Sequence, residues 1–335
     1  MAVTVSICVP TYNGARYLKP CLDSALAQTF ADSELVVVDD GSSDATRDLV
    51  RDYARSDTRV RVWLNERRLG LAANWNRCVE LARGEWVKFL FQDDLLEPSC
   101  VERMLAASRS GVDLVVARRG LIFEDGTPVP IQERYRKYVA EHNLARHCRG
   151  RPSLTVEEFA EILVRSPSVN CVGEPTATLI RRSAFERYGR FNTDLMILGD
   201  WEYAARVAAN TGLCYVDATL AHFRVHAGAA SAAIRAEREY RALVIDPLVI
   251  MHEICYSKHY VKARDVARHL RPPVDLKSQL TEAVGNALRE ACAARDRGVT
   301  SDWWTILRRH PRLARSQFSA LLRVLSRRPY ARTQR

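Results

Sequence analysis

From residue 6 to about residue 119, short apolar runs alternate with stretches whose apolar residues fall at helical spacing, as Leu18, Leu22 and Leu26 do. A chain patterned this way folds as strand, crossover helix and parallel strand in repetition. The apolar runs predict strands over 5–9, 34–39, 59–64, 86–91 and 113–117, with helices over 15–28, 43–55, 70–83 and 98–108. Several of the strands are apolar nearly throughout, as expected where helices cover both faces of the sheet. The fold class expected is α/β, a mostly parallel sheet flanked by helices.

After Gly120 the alternation stops. Phe123-Glu124-Asp125-Gly126-Thr127 reads as a hairpin turn, and the polar run over 132–151 as a solvated loop or lid. Thr155 and Glu158 make a capping box for a helix ending near Arg165. A strand is expected over 176–181, a helix over 200–210, and a strand or pair of strands over 213–225. Beyond Ser231 the pattern is helical to the end, broken at Arg271-Pro272-Pro273.

In an open α/β sheet, ligands bind beyond the carboxyl ends of the strands, so polar residues at those ends matter most. The first strand runs into Pro10-Thr11-Tyr12-Asn13-Gly14, the second into Asp39-Asp40-Gly41-Ser42-Ser43-Asp44, the third ends at Asn65, and the fourth runs into Gln92-Asp93-Asp94. Adjacent carboxylates repel unless a cation or hydrogen-bond donors offset the cost. Asp93 and Asp94 suit a hard divalent cation such as Mg²⁺ or Mn²⁺. Asp39 and Asp40, ahead of a Gly-Ser turn, suit the donors of a base or ribose; the competing reading is that Asp40, Ser42 or Ser43 caps the next helix.

The blocks Ser6-Ile7-Cys8-Val9-Pro10-Thr11-Tyr12-Asn13-Gly14, Ser24-Ala25-Leu26-Ala27-Gln28-Thr29-Phe30 and Val38-Asp39-Asp40-Gly41-Ser42-Ser43-Asp44 resemble the opening of glycosyltransferase family 2. The likeness continues through Asn74 to Gly84-Glu85 and Asp93-Asp94, and spans about the first 230 residues. It implies a GT-A fold and a transferase that uses a nucleotide-sugar donor with a divalent metal, Mn²⁺ or Mg²⁺. By that resemblance Pro10, Thr11, Tyr12, Asn13, Asp40, Gln92, Asp93 and Arg224 bind the nucleotide, and Asp93, Asp94 and His226 hold the metal. The family's D-x-D motif is Q-D-D here, with Phe91 at the position of the first Asp, which leaves open whether Asp94 shares the metal or the ribose.

Gly199-Asp200-Trp201-Glu202 is similar to the family's acceptor-side motif. A carboxylate that opens a helix can take the proton of an attacking hydroxyl, which makes Asp200 the expected general base; the alternative is a helix N-cap. His222, Arg224 and His226 alternate on one extended segment. Arg224 offers forked donors to a diphosphate. His226 could complete a metal shell or bond a phosphate, whereas a histidine on a strand is more often structural. These roles imply in-line displacement with inversion, from a UDP, dTDP or GDP donor onto a saccharide or lipid-linked acceptor, in surface-polysaccharide or glycoconjugate synthesis. A nucleotidyltransferase or a non-catalytic nucleotide-sugar sensor are the competing readings. No G-x-G-x-x-G or G-K-[ST] loop follows a strand, which argues against dinucleotide and P-loop enzymes.

The expected organisation is a catalytic domain over 1–230, divided into a nucleotide-sugar half, 1–120, and an acceptor half, 121–230, with a helical, basic extension over 231–335. The nine cysteines are scattered without a C-x-x-C pair, and the N-terminus has no secretory pattern. Both favour a reducing cytosol. No run approaches the roughly 20 apolar residues of a membrane span. Of the net charge of +10, the last 35 residues supply most, through nine arginines against Asp302 alone. Trp303, Trp304, Leu307, Leu313, Leu321, Leu322 and Leu325 accompany them. This tail fits the anionic inner face of a plasma membrane, a helix pair packed on the catalytic domain, or a contact between copies of the chain. No nucleic-acid fold motif accompanies the charge, so nucleic acid is not an expected partner.

Overall fold

A computed structural model describes residues 3–229, 234, 238–293 and 297–315. Among the described residues nine strands form one sheet, in the order β3 (Val60–Leu64), β2 (Ser33–Asp39), β1 (Val5–Thr11), β4 (Trp86–Phe89), β8 (Thr178–Arg181), β6 (Leu114–Phe123), β9 (Leu213–Val225) and β5 (Leu95–Leu96), with β7 (Ser153–Leu154) on β9. Strands β1 (Val5–Thr11), β2 (Ser33–Asp39), β3 (Val60–Leu64) and β4 (Trp86–Phe89) are mutually parallel. Helices α1 (Ala15–Leu26), α2 (Thr46–Ser56) and α3 (Leu71–Leu81) cross between them. This half follows the sequence reading.

The other half is mixed. β8 (Thr178–Arg181) lies antiparallel between β4 and β6 (Leu114–Phe123), whereas β6 runs parallel to β9 (Leu213–Val225). β5 (Leu95–Leu96) and β7 (Ser153–Leu154) edge β9 antiparallel. A mostly parallel sheet is therefore correct for order β3-β2-β1-β4 and not beyond it.

Side chains alternate across the first strands and feed two cores. Cys8, Val36, Val38, Val87 and Phe89 face one cluster; Val5, Ile7, Val9, Leu35, Val37 and Trp86 face the other. Helices α1, α2 and α4 (Cys100–Ala106) close the second. Each fully buried Val or Leu contributes about 1.5–3 kcal/mol, so a register slip, which would turn these residues to the wrong face, is strongly opposed.

The turn expected at 123–127 forms, but it joins a strand to a helix and not two strands of a hairpin, and the loop expected after it is helical. Glu124 N–H bonds the Val225 carbonyl, a turn closes from Thr127 N–H to the Glu124 carbonyl, and the chain enters α5 (Val129–Glu141). Pro128 and Pro130 fix φ near helical values at this start. A short helix, α6 (Ala145–Cys148), follows. α5 buries no residue fully; Ile131, Tyr135 and Val139 make a short half-buried stripe that the charges of Glu133, Arg134, Arg136 and Lys137 obscure.

Elsewhere, among the described residues, the expected elements form. The Thr155–Glu158 capping box opens α7 (Val156–Arg165), and β9 spans the whole expected segment. After α8 (Ser183–Arg187), helix α9 (Gly199–Thr211) lies almost entirely buried. Four further helices, α10 (Asp246–Tyr256), α11 (Val261–His269), α12 (Leu276–Ala293) and α13 (Arg297–Arg309), pack on the same side. Leu248, Val249, Ile254, Leu280, Val284, Trp303 and Ile306 share one cluster with Phe159 and Trp201.

In the tail, Trp303, Leu307 and Leu313 are buried in that core and Trp304 is exposed. Through Arg315 the tail is thus a helix docked on the body. Leu321, Leu322, Leu325 and the arginines beyond them lie outside the described residues. Eight of the nine cysteines are buried, all nine are free, and Cys292 is exposed. No helix among the described residues is long and apolar enough to cross a membrane.

Candidate active site

The sheet register brings the strand ends together. Thr11 pairs with Asp39 and Asp39 with Leu64, so the β1, β2 and β3 loops leave the sheet side by side. Pro10 and Thr11 are buried within β1. Tyr12 and Asn13 form the loop, with Asn13 in the left-handed region at φ 47. Its amide N–H donates to Ser42 Oγ at 2.8 Å, and its side-chain oxygen accepts from Ser43 N–H at 2.8 Å. The Arg68 guanidinium covers the Tyr12 ring at 4.0 Å.

Asp39 and Asp40 are both buried, and their donors come from the protein. Asp39 accepts from the N–H groups of Gly41 and Ser42, from the Ser42 hydroxyl and from Arg47. Asp40 Oδ1 accepts from Asn65 Nδ2 at 2.9 Å and Leu69 N–H at 2.7 Å, and its Oδ2 from Gly70 N–H at 2.8 Å. Asp40 thereby fixes the loop that leads into α3. None of Asp40, Ser42 and Ser43 caps α2, whose N-cap is Ala45.

Gln92 braces the first loop. Its Oε1 accepts from Tyr12 N–H at 2.9 Å and its Nε2 donates to the Tyr12 carbonyl at 3.1 Å. A Cβ on Gly14 would collide with this side chain, which explains a glycine there.

Asp93 and Asp94 part ways. Asp93 Oδ2 meets His226 Nε2 at 2.9 Å, and the Asp93 carbonyl accepts from Arg224 Nε at 2.8 Å. Asp94 is fully buried; its Oδ2 accepts from the Thr176 hydroxyl at 2.6 Å and its Oδ1 from Arg224 N–H at 3.0 Å. Burial, and then the charge of Asp93, push its pKa well up. Expected beside Asp93 as a metal ligand, Asp94 is instead enclosed, because β9 and the turn at Pro175–Ala177 close over it. Beneath, the fully buried Lys88 bonds the carbonyls of Thr176 and Thr178.

Tyr17, from the first turn of α1, completes this corner. Its ring lies 4.6 Å from the His226 ring and 5.1 Å from the Arg224 guanidinium, and its hydroxyl donates to Glu124 Oε1 at 2.5 Å. His222 keeps apart from it, with Nε2 2.6 Å from Glu97 Oε1.

Asp200 sits in the first turn of α9, not at its cap, which is Leu198. Its Oδ1 accepts from Trp201 N–H at 2.6 Å. Its pKa is pushed up to about 7, chiefly by burial and further by the charge of Glu174; the Trp201 bond and Arg119 act against that. Glu174 pairs with Arg119 at 2.5 Å, and its charge also raises Asp94. The segment from Glu174 to Thr176 therefore links the two carboxylate sites. A cavity of about 550 Å³ adjoins, lined among others by Arg118, Arg119, Arg136, Leu121, Val172 and Tyr215.

Sequence reasoning missed Tyr17, Glu124, Arg119, Glu174 and Thr176. Each acts through a partner remote in the chain, 55 to 107 positions away for the pairs of Arg119 and Tyr17. No local pattern marks them.

A family model described as Glycosyl transferase family 2 matches residues 6–189. An uncharacterised protein of Mycobacterium tuberculosis is 30% identical over 253 residues, which is 73% of this chain and 76% of that protein. The succinoglycan biosynthesis protein ExoO of Rhizobium meliloti is 31% identical over 233 residues, 69% of this chain and 63% of that protein. Among solved structures, S. aureus TarS residues 1–349 with UDP-GlcNAc superposes at TM-score 0.57 and 19% identity, covering 84% of this chain and 80% of that one. The mannosyltransferase PcManGT of Pyrobaculum calidifontis, with GDP-Man and Mn²⁺, superposes at TM-score 0.54 and 18% identity, covering 96% and 86%. At such identities these two carry the fold alone, a mixed α/β sheet of GT-A type. The chain belongs to glycosyl transferase family 2 and is a glycosyltransferase.

Proposed function

We propose that the enzyme moves a sugar, with inversion, from a nucleotide-diphosphate donor, UDP by preference, to an acceptor hydroxyl in surface-polysaccharide or glycoconjugate synthesis. One observation carries the reading. The Asp93–His226 pair stands next to Asp94, which Thr176 holds, and the charge of Glu174 helps to raise Asp200 to a pKa of about 7, so both carboxylate sites meet the segment from Glu174 to Thr176. The donors named for TarS and PcManGT and the role named for ExoO support the chemistry and the setting.

Asp93 and His226 fit a divalent cation, Mn²⁺ or Mg²⁺, because an anionic oxygen and an imidazole nitrogen stand 2.9 Å apart in a partly shielded corner. Such an ion would neutralise charge on the departing diphosphate. Arg224, anchored on the Asp93 carbonyl, brings a guanidinium to the same phosphates. Asp94, held by Thr176, positions Asp93 and Arg224 and stays within the protein. Asp40 and Gln92 shape the nucleoside loops through Gly70 and Tyr12.

Asp200 takes the proton of the acceptor hydroxyl as its oxygen bonds the anomeric carbon. The bond to the diphosphate oxygen breaks on the opposite face, and that oxygen leaves with the electron pair. A single displacement inverts the centre. A base near pKa 7 is half ionised at neutral pH and strong enough to share the proton in the transition state. The cavity beside Arg119 is the space we assign to the acceptor.

Residues 1–230 form the catalytic domain in this reading and 231–335 a helical extension, with the basic end reaching an anionic membrane on the cytoplasmic side. Vesicle co-sedimentation of the full chain and of a chain ending at residue 315 tests the last point. The function itself is tested by nucleoside diphosphate release from a panel of nucleotide sugars with Mn²⁺ or Mg²⁺. Metal-dependent release lost in Asp93→Ala and Asp200→Asn is expected; equal release by wild type and both variants would sink the assignment.

A further inference from the structure

Away from the sugar-transfer cleft, two imidazoles and a carboxylate converge where α10 meets the end of α13. His252 Nδ1 lies 3.0 Å from Glu253 Oε1, and His310 Nδ1 lies 3.9 Å from the same oxygen. One donor atom from each of the three residues falls within 4.8 Å of the others. His310 turns its other nitrogen, Nε2, to Asp194 Oδ2 at 3.1 Å, and Asp194 is further paired with Arg309.

Hydrogen bonding leaves one of these ring nitrogens unmet. If His310 donates from Nε2 to Asp194, a neutral ring presents the Nδ1 lone pair to the lone pairs of Glu253, across 3.9 Å. His252 is nine-tenths buried, and its Nε2 has no hydrogen-bond partner. With the proton on Nδ1, that nitrogen is an unmet acceptor; with the proton on Nε2, it is an unmet donor, and Nδ1 faces a carboxylate oxygen at 3.0 Å. Either form is costly. A cation held by the carboxylate and by one nitrogen of each ring would take up a lone pair that hydrogen bonding leaves unmet.

The donor set also fits. Two imidazoles and one glutamate suit Zn²⁺, and a carboxylate behind a ligating histidine fixes its tautomer and raises its basicity. A cavity of about 410 Å³, lined by His252, Arg309, His310, Pro311, Arg312 and Arg315, opens beside the cluster and leaves room for a solvent or anionic fourth ligand.

We propose that His252, Glu253 and His310 bind a Zn²⁺-class ion that fastens the C-terminal helices to the segment leading into α9. Asp194 stands in that segment, and the buried Asp246 of α10 accepts from the N–H groups of Met196, Ile197 and Leu198. The ion joins the end of α10 and the end of α13 to the loop that positions Asp200.

The test uses the full chain carrying Asp93→Ala and Cys292→Ser, which removes the cleft ligand and the exposed thiol. After chelation and desalting, Zn²⁺ is titrated by calorimetry and Co²⁺ by visible absorption. One equivalent is expected, with Co²⁺ bands of nitrogen and oxygen ligation, no thiolate charge transfer, and a Tm that rises with Zn²⁺ concentration. His310→Ala should weaken binding by at least about 100-fold, and Asp194→Asn by about 10- to 100-fold. No saturable binding in the parent chain, or binding unchanged in His310→Ala and His252→Ala, would overturn the proposal.

Discussion

Asp93 Oδ2 and His226 Nε2 meet at 2.9 Å although 133 positions separate them in the chain. The register of β9 against β5, with Leu95 opposite His222, brings the two segments alongside each other. If the pair holds the metal, Asp93→Ala should lower kcat by about 100-fold or more, the scale of losing one electrostatic stabiliser of the transition state. His226→Ala should raise the metal concentration needed for half-maximal rate. Steady-state kinetics across a Mn²⁺ titration separates the two effects, and unchanged metal dependence in both variants would refute the pairing.

The raised pKa of Asp200 predicts an acid limb in the rate. The base must be ionised, so kcat should fall about tenfold per pH unit below about 7. Glu174→Gln removes a charge that raises Asp200 and releases Arg119, which lowers it. Both effects shift the limb to lower pH. A pH–rate profile of Glu174→Gln displaced upward, or not displaced, would contradict this assignment.

Asp40 holds Asn65, Leu69 and Gly70 with three hydrogen bonds. Asp40→Asn exchanges one accepting oxygen for an NH₂ group that faces donors, and should cost about 1–3 kcal/mol of stability. The KM for the donor should rise more than kcat falls, because the loop shapes the nucleoside pocket and not the reacting centre. Thermal unfolding and donor-saturation curves together check this.

Asp194 is held down at about 2, from 3.8, by the bond from His310 and then by Arg309. A carboxylate depressed in the folded state contributes stability above its unfolded pKa and loses it as pH falls through the folded one. The contribution should therefore be complete above pH 4 and vanish toward pH 2. Asp194→Asn should cost about 2 kcal/mol at neutral pH and little at pH 2, as read from urea unfolding at both.

Much of the fold was legible because its signals are local. The apolar runs of β1 to β4 alternate with amphipathic helices, and the Thr155–Glu158 box is a four-residue pattern. Period and capping are set by residues a few positions apart, so they survive in one sequence. The motifs at the strand ends were legible for the same reason. α5 was hidden because its half-buried stripe, Ile131, Tyr135 and Val139, is set among charged residues.

The amino-acid sequence alone determined that Asp93, Asp94, Arg224, His226 and Asp200 could serve chemistry, since side-chain type and strand-end placement are properties of the chain. Which of two adjacent carboxylates faces His226 was decided only in three dimensions. Successive side chains point in different directions, and Thr176, with the backbone of β9, encloses Asp94 while Asp93 stays at the cleft. The raised pKa of Asp200 is likewise tertiary, because desolvation and the charge of Glu174 depend on what packs around a carboxylate, and chain separation carries no information about that.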